Sequence, residues 1–195
     1  MGHDEIPKQE HMMQTEIQYP EFENFEADGY ILDIGGGGEG IIGQLKGDQV
    51  ISIDKNKGEL EEANSKNLKI VMDATDLQFL DNSFNTAAAF FTFMYMDYET
   101  KEKTFKEVFR VLKPNGKFFI WDVFVPAKKE KEEQQFFVAV IEVNLPERKV
   151  QTGYGCRFLA QDAKYFKDLA DKTGFELISQ SDKDQIYRLE FKKKI

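Results

Sequence analysis

At 195 residues with a formal net charge of -9, the chain is long enough for one ordinary hydrophobic core and too short for two. The acidic balance disfavours a sequence-independent grip on nucleic acid or on an anionic membrane surface, since both need clustered Lys and Arg. A lone cysteine, Cys156, cannot close an intramolecular disulfide, and His3 and His11 both precede the first credible core strand, so no His-based triad and no metal site is expected.

Residues 1–28 are polar, with scattered acids, Pro7 and Pro20, and read as an arm or partly helical lid ahead of a single domain over 29–195. Apolar, β-rich runs follow at 31–34, 50–53, 68–72, 86–93 and 117–125, each bounded by turn residues, as buried parallel strands are. Between them Ile41, Ile42 and Leu45 give a brief helical face, and Phe105, Val108, Phe109 and Leu112 mark an amphipathic helix. That helix is expected to stop at Lys113, Pro114, Asn115 and Gly116. Segments 135–143 and 149–158, joined through Leu145 and Pro146, predict a β-hairpin. A helix over 162–173 turns Phe166, Leu169 and Ala170 inward and ends at Gly174. Strands at 175–179 and 185–192 then flank a turn at 181–184, with Tyr187, Leu189 and Phe191 alternating against Arg188 and Glu190. The fold class is α/β: a doubly wound, Rossmann-like, mostly parallel seven-stranded sheet with an antiparallel C-terminal strand and an inserted β-hairpin. The mixed-sign stretch 127–133 and the tail 192–194 read as solvated surface. No apolar run approaches a signal-peptide core or a membrane span, so the cytoplasm is the expected setting.

The most informative stretch is the strand 31–34 running into Gly35, Gly36, Gly37 and Gly38. Glycines there let a ligand approach the backbone, and amides at a helix start are offered to it. Gly35, Gly37 and Gly40 also satisfy the dinucleotide pattern GxGxxG. Asp33 argues against a pyrophosphate, which it would repel, and for a ligand carrying an ammonium and a sulfonium: opposite charges about 4 Å apart gain about 4 kcal/mol at an effective dielectric of 20. Asp54, 21 residues later and next to Lys55, closes the second strand and suits two ribose hydroxyls. Asp73, before Ala74, closes the third and suits an exocyclic amine. The bland reading of Asp54 and Asp73 is a turn or N-cap aspartate.

Four motifs in order make residues 30–122 resemble the class I S-adenosylmethionine-dependent methyltransferases, in their small-molecule, ubiquinone-biosynthesis-like branch. They are ILDIGGGG, VISID, LQFLDNSFN at 77–85, similar to LPFxDNSFD, and VFRVLKPNG at 108–116, similar to RVLKPGG. The resemblance implies S-adenosyl-L-methionine as cofactor. It implies contacts to the methionine part from Asp33 and the Gly35, Gly36 and Gly37 backbone, to ribose from Asp54 with Lys55, to adenine from Asp73 and Ala74, and near the sulfonium from the Phe90 backbone. The sequence departs from the family at Glu39, where the third glycine usually falls, at Asn85 and Asn115, and at Met94 and Tyr95, where paired histidines are common. No histidine base carries over.

The expected function is methyl transfer to a small-molecule acceptor by in-line displacement, in which alignment supplies much of the acceleration. Tyr95, Asp97, Asp122 and Tyr154 are the available bases if one is needed, and none is assigned as catalytic. Phe90, Phe91, Phe93 and Tyr95 read as a core strand whose carboxyl end faces an apolar acceptor pocket. Segment 126–158 stands where such folds carry a substrate-covering insertion, with Tyr95, Tyr154 and Arg157 as substrate contacts. Cys156 reads as a small buried hydrophobe. The alternatives are a non-catalytic S-adenosylmethionine-binding module, favoured by the missing histidines and by Glu39, and a nicotinamide-dependent reductase, favoured by GxGxxG and Asp54 and opposed by Asp33.

Overall fold

A computed structural model describes residues 12–22, 25–128 and 135–195. His3, His11 and most of the charged stretch 127–133 lie outside the described residues. In chain order the elements are β1 (Met12–Gln14), β2 (Ile31–Ile34), α1 (Ile41–Lys46), β3 (Val50–Asp54), α2 (Lys57–Glu62), β4 (Leu68–Val71), β5 (Phe84–Phe90), α3 (Tyr98–Val111), β6 (Leu112–Val123), β7 (Phe136–Asn144), β8 (Lys149–Arg157), α4 (Ala163–Thr173), β9 (Phe175–Lys183) and β10 (Ile186–Lys193).

Seven strands form the main sheet in the order β4-β3-β2-β5-β6-β10-β9. The pairs from β4 through β6 are parallel, and β10 runs antiparallel between β6 and β9. Both faces are covered, which is why the central strands are continuously apolar. On one face α3 and α4 press Phe105, Val108, Phe166 and Leu169 onto Leu32, Ile34, Ala87, Phe118 and Leu189. On the other, a three-stranded sheet β1-β7-β8 brings Phe137, Ala139 and Ile141 onto Ala88, Phe119 and Trp121. The chain leaves β2 toward β3 and β4, then crosses back to β5 on the opposite side of β2. This reversal opens a crevice at the strands' carboxyl ends, the place where open α/β sheets bind ligands.

Four expectations change. The arm is not helical where described: β1 pairs in parallel with β7, and Gln18 bridges Ile141, so it is built into the second sheet. Helix α2, absent from the sequence reading, buries only Leu60 and is started by the Asn56 side chain accepting from the Gly58 amide. The last two strands run to a turn at Asp184, which has φ 53, later than expected. The strand expected over 86–93 ends at Phe90, because Phe91 takes φ 49 and donates its amide to the Trp121 carbonyl, and a 3-10 turn, Phe93–Tyr95, follows. A bulky residue at positive φ is strained and persists only where its surroundings hold it.

Candidate functional site

Three neighbours each require a different glycine of the loop after β2. A Cβ on Gly35, at φ +69, would lie 2.5 Å from Thr92 Cγ2. One on Gly36 would lie 2.2 Å from Asp33 Oδ2, and one on Gly37 would lie 2.5 Å from Glu59 Cβ. The loop's amides are largely spent inside the fold: Gly35 and Gly36 donate to the Ile53 carbonyl, Gly38 to that of Glu59 and Gly40 to that of Gly37. Helix α1 has six residues and no side-chain cap. The amides of Gly37 and Glu39 and those that open α1 are not so engaged, so the donors left for a ligand lie at the turn into the helix and the first glycines supply clearance.

Asp33 sits at the centre. It is 1% exposed, opposite Ser52 in the β2–β3 register. Ser52 Oγ donates to its Oδ2 at 2.8 Å, and Asn67 Nδ2 donates to Ser52 Oγ at 2.9 Å. Burial pushes its carboxyl up to about 7, against the Ser52 hydrogen bond and helped by the Asp54 charge. Asp54 spends Oδ1 on the Asn56 amide at 2.8 Å, and its Oδ2 would stand 3.0 Å from a Cβ on Gly37. Asp73 accepts from the Thr75 amide and hydroxyl with Oδ1, at 2.8 and 2.7 Å, which holds its carboxyl below the usual range. The turn-aspartate reading of both is thus true of one oxygen each.

Asp33, Gly35, Gly36, Gly37, Asp54, Lys55, Asp73, Ala74, Phe90, Tyr95 and Tyr154 all line one cavity of about 800 Å³. Its carboxylates are Asp33, Glu39, Asp54, Glu59, Glu62 and Asp73, against two cations, Lys55 and Arg148. A polyanion such as a pyrophosphate would be repelled, whereas a ligand bearing ammonium and sulfonium charges is attracted. A buried carboxylate without a cation against it, glycines whose Cβ atoms would fill the floor, and acids at three successive strand ends all suit S-adenosylmethionine.

Beyond these acids the walls are aromatic. Tyr154 stacks on Phe91 with ring centroids 5.2 Å apart, and Phe90 meets Phe22 at 5.6 Å and Tyr154 at 6.2 Å. Burial raises the phenols of Tyr95 and Tyr154 well above their ordinary value. Both remain protonated near neutral pH, and the Tyr154 hydroxyl is hydrogen-bonded to the Glu39 carboxylate. Tyr95 reaches the cavity because the strand ends early: Asp122 accepts from the Phe93 amide at 3.1 Å and so fixes the turn that carries it.

The other expected bases stand elsewhere. Asp122 is fully buried and accepts from Val123 N and Gln161 Nε2, both at 2.8 Å. Asp97 caps α3 through the Thr100 amide at 2.7 Å. Cys156 is buried, its thiol pushed up to about 12 chiefly by burial. Arg157 is not brought to the cavity: it follows Tyr154 by an odd number of strand positions and so faces the other way, with its guanidinium 6.0 Å from the Phe136 ring. Sequence reasoning missed Thr92, Ser52, Asn67, Glu59 and Arg148. Only Ser52 carried a signal, as an inward position of the β3 alternation.

Among the described residues no helix is long and apolar enough to cross a membrane, and no three potential metal ligands cluster. Residues 32–120 match the family described as methyltransferase domain. The chain is 28% identical to a sterol 4-C-methyltransferase of Caenorhabditis elegans over 56% of its own length and 32% of that protein. It is 30% identical to a phosphoethanolamine N-methyltransferase of Plasmodium falciparum over 54% of its length and 43% of that protein. It thus spans about a third to under half the length of these curated relatives. A solved SAM-dependent methyltransferase from Methanosarcina mazei superposes with a TM-score of 0.66 at 21% identity, over 92% of this chain and 99% of that one. ILDIGGGG and VISID close β2 and β3, LQFLDNSFN leads into β5 and VFRVLKPNG joins α3 to β6; residues 32–120, a little under half of the chain, are similar to the methyltransferase-domain family, and the fold is that of the solved methyltransferase.

Proposed function

We propose that this chain transfers the methyl group of S-adenosylmethionine to a small-molecule acceptor. One observation carries the reading: a single cavity at the β2/β5 reversal joins acids suited to adenosine and to a cationic centre with an aromatic antechamber. Asp73 and Ala74 hold the adenine and Asp54, beside Lys55, the ribose. Asp33 faces the positive charge, and the 35–37 backbone passes under the methionine chain. When bound, the cofactor supplies an electrophilic methyl carbon on a positively charged sulfur.

The protein's task is then alignment and exclusion of water, which needs no strong base. Phe90 closes the site below the sulfur, and Phe91, Tyr95 and Tyr154 shape the acceptor side, with the Tyr95 phenol as a donor to an acceptor heteroatom. The small-molecule class fits an aromatic antechamber that shares one cavity of about 800 Å³ with the acids, and the hairpin β7–β8 acts as the substrate-covering insertion. Cys156, buried and unpaired, accords with a cytoplasmic setting.

S-adenosylhomocysteine at a hundred times its dissociation constant should stabilise the fold by about 2.7 kcal/mol, and NAD should not. The protein should methylate at least one member of a panel of small amines, phenols and carboxylates. A melting shift from NAD with none from S-adenosylhomocysteine would overturn the assignment. Tight S-adenosylhomocysteine binding with no turnover across the panel would leave only the non-catalytic binding module.

A further inference from the structure

We infer that Arg148, at the tip of the β7–β8 hairpin, binds the α-carboxylate of the cofactor, so that the substrate-covering insertion completes the cofactor site. The inference rests on the methyl-transfer reading above. A methionine-type ligand brings an anionic carboxylate as well as its positive charges, and the cavity is poorly equipped for it. Six carboxylates line the space, and the amides of Gly35, Gly36, Gly38 and Gly40 are engaged with backbone carbonyls. Two cations among the lining residues remain. Lys55 follows Asp54 and acts on the Asp73 carboxyl, which puts it at the adenosine end.

Arg148 stands at the other end. Its Nε donates to Gln44 Oε1 at 3.2 Å, and Gln44 Nε2 donates in turn to the Glu39 carbonyl of the glycine loop. The hairpin tip is held there on both sides. Leu145 N donates to the Arg148 carbonyl at 2.9 Å, closing a tight turn, and the Thr152 hydroxyl bonds Glu39 Oε1. The exposed guanidinium is therefore delivered to the rim of the glycine-loop end, with only its Nε used against Gln44. Guanidinium and carboxylate suit a two-bond, charge-assisted pair.

The test compares S-adenosylhomocysteine with 5′-methylthioadenosine, which keeps the adenosine and the sulfur but lacks the amino-acid end. Calorimetry on wild type, Arg148→Gln and Arg148→Lys is accompanied by melting curves, with Glu147→Gln as an adjacent control. Arg148→Gln should weaken S-adenosylhomocysteine by about tenfold or more and leave methylthioadenosine within twofold, with Arg148→Lys between. S-adenosylhomocysteine affinity unchanged in Arg148→Gln overturns the inference while leaving the methyl-transfer reading intact. Equal losses for both ligands also overturn it, since they assign Arg148 to holding the hairpin. If wild type binds neither ligand, the function itself fails and the inference with it.

Discussion

Replacing Asp33 by Asn should make the protein more stable and its cofactor site worse, in opposite directions from one atom's change. Asn keeps the shape and an acceptor for the Ser52 hydroxyl at 2.8 Å, and it removes a charge buried to 1% exposure. The carboxyl moves from 3.8 to about 7 on folding, and at 1.36 kcal/mol per pKa unit the buried charge costs at most about 4 kcal/mol above pH 7. Relaxation around the site lowers this toward about 2 kcal/mol. For the sign, the folded form holds a proton between pH 4 and 7 that the unfolded chain has released, so this acid's contribution to stability rises as pH falls through that window. Asp122, also raised to about 7 chiefly by burial, adds a slope of the same sign that the substitution leaves in place. Urea unfolding of wild type and Asp33→Asn at pH 8.5 and pH 5 should show the variant more stable by about 2 to 4 kcal/mol at the higher pH and by about 1.5 kcal/mol at the lower, the gap closing only as the pH falls below about 4. S-adenosylhomocysteine should bind the variant at least tenfold more weakly at pH 8.5, and wild-type affinity should fall about tenfold per unit below pH 7 as binding competes with protonation. A variant less stable than wild type at pH 8.5, or a stability gap that does not shrink at pH 5, would refute the account of Asp33 as an uncompensated buried charge awaiting a cation.

Asp54→Ala should weaken S-adenosylhomocysteine about tenfold or more by calorimetry, and unchanged affinity would remove its ribose role. Gly36→Ala places a Cβ 2.2 Å from Asp33 Oδ2 and 2.6 Å from Ser52 Cβ, so about 1 to 3 kcal/mol of stability should be lost in urea unfolding, together with cofactor binding. Arg110 bonds the carbonyls of Leu77 and Phe79 and the carboxylates of Asp81 and Glu107, at 2.7 to 2.8 Å, so it orders the connection from β4 to β5. Arg110→Ala should cost about 2 kcal/mol, with faster amide exchange confined first to residues 77–83.

The parts of the fold legible in the sequence are those where one strand or helix carries its own pattern. The parallel strands announce themselves because both of their faces are covered, and α3 because Phe105 and Val108 recur on one side. Asp33, Asp54 and Asp73 are legible for a related reason, since a strand followed by a turn places its last acid at the sheet's carboxyl edge whatever lies around it. What escapes depends on partners remote in the chain. Helix α2 shows no apolar period because it buries one leucine. Strand β1 exists through pairing with β7, more than a hundred residues on. The end of β5 lies in a mostly apolar run and is set from outside, by the Trp121 carbonyl and the Asp122 carboxylate taking the amides of Phe91 and Phe93. Arg157 was misplaced by strand parity alone, a single residue deciding which face it serves.

Glu39 is where local rules and tertiary structure meet. A glycine is needed at a loop position when the backbone is left-handed or a neighbour leaves no room for Cβ. Here the left-handed conformations fall on either side, at Gly38 with φ +59 and Gly40 with φ +60, and Glu39 is not among the residues of positive φ. With glycines at both left-handed positions, the middle position is free to carry a side chain. That side chain reaches the Thr152 hydroxyl and, with burial, raises the Tyr154 phenol beside it. Both lie on the strand of the hairpin that covers the site. A glycine at 39 would remove this link and leave the hairpin to its Arg148–Gln44 bond and the stacking of Tyr154 on Phe91. The departure from the family pattern therefore adds a side-chain fastening between the insertion and the glycine loop.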